Sequence, residues 1–91
     1  MTDITVRVLI SGRVQGVGYR DACAKQAKQL GLGGWVQNRD DGCVEALLCG
    51  EELAVRELIG WMHRGPELAR VDDVDIAPAA ETAPPPFRVK R

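Results

Sequence analysis

GRVQGVGYR, residues 12–20, lies between an alternating apolar segment and a stretch of helical periodicity, so three glycines and two arginines fall at a strand-to-helix crossing. Gly12, Gly16 and Gly18 have access to backbone angles closed to other residues, and consecutive N–H groups can then turn inward as a concave nest of donors. The first turn of the following helix adds unpaired N–H groups and partial positive charge, while Arg20 adds a permanent cation with a planar fork of donors. A phosphate group fits such a site. The same residues also read as a plain turn carrying a solvated arginine, and the loop by itself does not choose between the two. Two better-known phosphate loops are excluded. A Walker A loop needs Lys and Ser/Thr after its last glycine, where Tyr19 and Arg20 stand, and a dinucleotide fingerprint begun at Gly16 would need glycine at Asp21.

On the N-terminal side of this stretch, Ile4, Val6, Val8 and Ile10 alternate with Thr5, Arg7, Leu9 and Ser11, the period of a strand with one face on a core. On its C-terminal side the spacing predicts a helix that turns Ala22, Cys23 and Ala27 inward, with Asp21 in its first turn, Lys25 and Lys28 toward its end and Gly31 to stop it. Gly33-Gly34 then releases the chain into a second strand, Trp35 to Asn38. Asp41-Gly42 reads as the turn of a hairpin leading to a third, Cys43 to Leu48. Val55, Leu58, Ile59 and Met62 recur at helical spacing, and Glu52 lies four residues before Arg56. Gly65-Pro66 ends that helix, and Val71, Val74 and Ile76 suggest a fourth strand. Prolines make the run Ala77 to Pro86 a surface loop, after which Phe87 to Lys90 forms a short edge strand.

The order strand, helix, strand, strand, helix, strand describes a split-βαβ, ferredoxin-like α+β sandwich. It has an antiparallel sheet, both helices on one face and a short C-terminal edge strand. Ninety-one residues are room for one domain, taken as 1–91. With 12 Lys and Arg against 13 Asp and Glu there is no positive field to hold a nucleic acid, and none is expected as a partner. MTDITVRVLI has an acidic residue where a secretory signal would be basic, and no apolar run approaches the length of a membrane span. A soluble, cytoplasmic, monomeric protein is expected. Cys23, Cys43 and Cys49 are odd in number and form no CxxC pair, which argues for reduced thiols and against a disulfide framework or a metal site.

Asn38 ends the second strand and can lie beside the end of the first, where the glycine loop begins. Its carbonyl can accept a proton from a water while its NH2 donates to a phosphate oxygen; alternatively it is turn chemistry near a hairpin. Taken together, GRVQGVGYR at 12–20 and GWVQNRDDGCVE at 34–45 resemble the two signature motifs of the acylphosphatases, and Gly65-Pro66 with Ala69 and Val71 adds a third, shorter match. The resemblance covers nearly the whole chain and is weakest in the proline-rich stretch before Phe87. It implies hydrolysis of the carboxyl–phosphate bond of a small acyl phosphate. In that family the residue matching Arg20 binds the phosphoryl group, the backbone matching Gln15, Gly16, Val17, Gly18 and Tyr19 cradles it, and the residue matching Asn38 positions the attacking water.

An acyl phosphate already carries a good carboxylate leaving group, so positioning and charge stabilisation suffice and neither cofactor nor metal is expected. His63 reads as a partner of the helix dipole, Cys23 as a core residue rather than a nucleophile, and Asp40 and Asp41 as turn formers. Two other functions compete. One is a carbamoyl-phosphate-handling module, as in hydrogenase-maturation proteins, which are large and carry zinc-finger regions. The other is a non-catalytic binding module of similar topology, such as an RNA-recognition sandwich, which needs exposed aromatics on its central strands; Cys43 to Cys49 has none.

Overall fold

The computed structural model describes residues 2–90 and contains β1 (Asp3–Arg13), α1 (Tyr19–Gln29), β2 (Gly33–Asn38), β3 (Val44–Glu51), α2 (Glu52–Met62), β4 (Arg70–Pro78) and β5 (Arg88–Lys90). The strands form one sheet in the order β4-β1-β3-β2-β5. β1 is antiparallel to both β3 and β4, and β3 to β2, which is the split-βαβ arrangement expected from the order of elements. β5 departs from an all-antiparallel sheet: it runs parallel to β2, pairing Trp35 with Arg88 and Gln37 with Lys90. A parallel neighbour needs a long return connection, and residues 79–87 supply it. The Ala79 N–H donates to the Thr5 carbonyl at 3.1 Å and the Ala83 carbonyl abuts Gly33, so this segment passes from one edge of the sheet to the other.

Strand alternation sends Val8 and Ile10 of β1, Val36 of β2 and Val44, Ala46 and Leu48 of β3 to one face. They are buried under Cys23, Ala24 and Ala27 of α1 and Val55, Leu58 and Met62 of α2. Ala24, not Ala22, is the third small residue on the inward face of α1, and Ala22 is only half-buried. The helix begins at Tyr19, and the phase set by burying Tyr19, Cys23 and Ala27 at i, i+4 and i+8 carries Ala24 inward with them. On α2 the Glu52–Arg56 pair closes at 2.6 Å, as its spacing predicts.

Ala77 and Pro78 belong to β4 rather than to the loop. Val6 pairs with Pro78 and Arg7 with Ala77, and proline is tolerated there because an edge strand is paired on one side only. The face of the sheet away from the helices carries a polar network in place of a second layer. Arg7 donates to Glu45 at 2.8 Å and also binds Glu81, while Gln37 Nε2 donates to Glu45 at 2.9 Å. The Trp35 ring lies under the Lys90 ammonium at 4.1 Å and near the Arg7 guanidinium at 5.7 Å. Among the described residues no helix is long and apolar enough to cross a membrane.

Candidate active site

β1 ends in a bulge. Its register with β4 shifts between Ser11 and Gly12, and Gly12 lies so close to the Arg70 carbonyl that any side chain would collide with the β4 backbone. Gly12 therefore lies within the strand, where it combines a close approach with a φ of 126°, a backbone angle closed to other residues as expected of it. Gly16 and Gly18 supply the curvature of the loop: their φ angles are 75° and 81°, with open space where a Cβ would stand. Glycine is needed at both for conformation rather than clearance. Gly18 is also the N-cap of α1, and no side chain caps the helix there. The N–H groups of the first turn thus lack intrahelical partners, and the positive end of the helix dipole opens at the loop.

Three side chains hold the loop down from within it. Val14 is buried in the core and Val17 packs partly against it. Tyr19 is 1% exposed, its hydroxyl donates to the Met62 carbonyl at 2.8 Å and its ring meets Trp61 at 5.4 Å. Burial raises the Tyr19 phenol well above its ordinary value, with a smaller contribution from Cys23, so it stays neutral and anchors the start of α1 to the end of α2.

Asn38 stands further from β1 than adjacency would put it. It pairs with Val44 of β3, and Val44 in turn pairs with Ile10 of β1. With strands about 4.8 Å apart, that is roughly 10 Å across the sheet. The loop must therefore arch over the start of β3 to meet Asn38, and Gln15 secures the arch. Its Nε2 donates to the Arg39 carbonyl at 2.8 Å and the Cys43 carbonyl at 2.9 Å, on the two sides of the hairpin turn. The turn is closed by Arg39 N–H to Cys43 carbonyl at 2.8 Å and by Asp41, whose carboxylate accepts from the Cys43 N–H at 3.0 Å. That backbone hydrogen bond, reinforced by Arg39, holds the Asp41 carboxyl below its ordinary range, so Asp41 is the turn former its position suggested.

A cavity of about 190 Å³ results, lined by Val14, Gly16, Gly18, Tyr19, Arg20, Asp21 and Asn38. The structure thus brings Arg20, Asn38 and three of the five loop residues together. Gln15 and Val17 are not among the lining residues, and act on the cavity through the contacts just described. Asn38 also lines a concavity beside the hairpin turn with Gln37, Arg39, Asp40, Asp41 and Glu45, and its Oδ1 is buried with no hydrogen-bond partner among the described residues. A buried acceptor left open is costly unless something donates to it. Arg20 is oriented from outside the motif, its Nη1 donating to the Lys90 carbonyl of β5 at 3.1 Å. Nothing in the local sequence signals that contact, the side-chain bonds of Gln15, or the place of Val14 and Asp21 in the lining.

The other candidates fall elsewhere. Cys23 is fully buried, and burial pushes its thiol up to about 12, far from a thiolate at neutral pH. Cys43 is half-buried in the hairpin with its thiol likewise raised, first by desolvation and then by Asp41. His63 is the exposed C-cap of α2. All three cysteines are free thiols.

Comparison with known proteins bears on the family and the fold. The family model for acylphosphatase matches residues 6–89. A curated relative from Ralstonia nicotianae, acylphosphatase 2, is 52% identical over 89 residues, 94% of each chain. Among solved structures, an acylphosphatase from Coxiella burnetii superposes with a TM-score of 0.92 at 36% identity, covering 97% of this chain and 93% of that one. The acylphosphatase from Bacillus subtilis does so with a TM-score of 0.91 at 32% identity, covering 97% and 99%. The chain belongs to the acylphosphatase family, whose members hydrolyse acyl phosphates.

Proposed function

We propose that the 190 Å³ cavity is where the carboxyl–phosphate bond is cleaved, with Arg20 and the loop backbone from Gln15 to Tyr19 binding the phosphoryl group and Asn38 holding the attacking water. The observation that carries this is that Asn38, whose Oδ1 is buried with no hydrogen-bond partner among the described residues, lines the same cavity as Arg20 and the uncapped start of α1. Charge in phosphoryl transfer spreads over three equatorial oxygens, and a guanidinium fork with helix-terminal amides offers donors on several sides of such a group. Asn38 accepts one water hydrogen at Oδ1 and donates from its NH2 to a phosphate oxygen, so a single side chain aligns nucleophile and phosphorus. The water oxygen forms the new bond to phosphorus, the bridging oxygen leaves with its electron pair as carboxylate, and the water proton passes to the phosphate product. No side chain need become covalently modified.

Residues 1–91 act in this scheme as one domain and a monomer, in the cytoplasm, on a free small acyl phosphate with no nucleic acid partner. The test is hydrolysis of benzoyl phosphate in oxygen-18 water. Label is expected in inorganic phosphate and none in benzoate, with inorganic phosphate inhibiting competitively. Label in benzoate would place the attack on the acyl carbon and remove the role given to Arg20. Replacing Arg20 by Lys is expected to lower both binding and rate, since an ammonium keeps the charge and loses the fork. Near-normal turnover and phosphate inhibition in that variant would make Arg20 a structural residue.

A further inference from the structure

A second concavity, about 640 Å³, runs along the outer side of α1 between the helix and β5. Asp21 lines both it and the smaller cavity, so the two adjoin on either side of Asp21 at the start of α1. Asp21, Ala24, Lys25 and Lys28 follow i, i+3, i+4, i+7 spacing and share one helix face. At 1.5 Å per residue, Lys25 stands about 6 Å and Lys28 about 10 Å beyond Asp21 along the axis. The floor is apolar, formed by Ala24 and Phe87, which are 4% and 1% exposed. The rim is cationic: Lys25 and Lys28 on one side and Arg88 on the other, all exposed and none of them in an ion pair among the described residues. An apolar floor leading away from a phosphoryl site to unpaired cations is the complement of an organic chain that ends in an anion.

We propose that this groove seats the acyl portion of the substrate, and that Lys25, Lys28 and Arg88 select acyl phosphates whose acyl group carries a second anion, a carboxylate or a phosphate, at its far end. The proposal rests on the phosphoryl site lying in the smaller cavity, because only then does the acyl group leave toward Asp21 and the groove. Arg20 fixes one end of the substrate and the rim reads the other. A neutral acyl phosphate gains only the floor; an anionic one gains the rim as well.

The experiment compares 4-carboxybenzoyl phosphate with 4-methylbenzoyl phosphate, rigid substrates of similar size that differ in the terminal charge. The readout is the ratio of their kcat/KM values. For Lys25→Gln/Lys28→Gln/Arg88→Gln, about a tenfold fall in that ratio is expected, roughly twofold to threefold per exposed charge, while the neutral substrate stays within about twofold of the native protein. Lys28→Glu alone is expected to lower the ratio further than Lys28→Gln, and high salt to lower it in the native protein but hardly in the triple variant. Arg56→Gln, which removes the same charge from α2, is expected to leave the ratio unchanged. An unchanged ratio in the folded triple variant overturns the proposal, as does an equal fall in Arg56→Gln, which would make the effect one of net charge. If the native protein turns over neither substrate, the phosphoryl-site assignment fails first; if it hydrolyses both with no dependence on the rim, only the groove assignment fails.

Discussion

Asn38 is proposed to act through an acceptor on water and a donor on phosphate, so its loss separates alignment from binding. In Asn38→Ala we expect kcat to fall on the order of a hundredfold or more, while the inhibition constant of inorganic phosphate changes by less than about threefold. The melting midpoint should barely move, because Asn38 Oδ1 forms no hydrogen bond among the described residues that the variant would lose. A folded variant that keeps most of its turnover would return Asn38 to turn chemistry. The same chemistry sets the pH profile. Asn38 does not titrate, an arginine keeps its charge, and Cys23 is held near 12 by burial, so kcat is expected to be flat across neutrality. A bell-shaped profile across neutrality would bring a titrating side chain into the reaction. At this scale the sequence was informative wherever a polar residue sat at a glycine-rich break, which is why Arg20 and Asn38 could be singled out. It was silent on the side-chain bonds of Gln15, whose partners Arg39 and Cys43 lie 24 and 28 residues away, and periodicity carries no information at that range.

The loop and the hairpin are separate elements with β3 between their parent strands, and one amide joins them. Gln15→Ala removes both hydrogen bonds across the arch, each worth about 1 kcal/mol. We expect a drop of about tenfold in kcat with a smaller change in KM, and a melting midpoint a few degrees lower. A structural role alone would lower the midpoint and leave the ratio of kcat to KM effects unskewed; a return toward native kcat in Gln15→Asn, combined with a low midpoint, would point the same way. The order of elements and the shared face of the two helices could be read from alternation and helical spacing, since both periods are local. Three features could not be. The parallel pairing of β5 depends on where the 79–87 segment travels. The extension of β4 to Pro78 depends on that strand being an edge. The replacement of Ala22 by Ala24 on the inner face follows from a helix start that only the packing of Tyr19 determines.

For the whole molecule, the open face of the sheet makes stability depend on acid. Burial alone would raise the Glu45 carboxyl, but hydrogen bonds from Arg7 and Gln37, with the charges of Arg7 and Arg39, outweigh it and hold the group below its ordinary value. A carboxyl lowered by folding stabilises fully above its unfolded value and loses that contribution as pH falls through the folded one. The gap in melting midpoint between the native protein and Glu45→Gln is therefore expected to be widest near neutrality and to close as pH falls through and below the ordinary carboxylate range. A gap independent of pH would show that Glu45 contributes shape and not charge. Exhaustive chelation is expected to leave turnover unchanged, because in the proposed site Arg20 and the helix-terminal amides neutralise the phosphoryl charge; loss of activity restored by magnesium or zinc would contradict that assignment. The bond from Arg20 to the Lys90 carbonyl spans 70 residues of chain. Synthesis runs from the N-terminus and domains settle as they emerge. A nascent chain that has emerged only as far as β4 already owns the glycine loop, Asn38 and both helices, yet nothing from β5 is there to aim its arginine. With Arg20 in its proposed role, competence arrives late and abruptly, so that the onset of hydrolysis during translation would time the docking of β5.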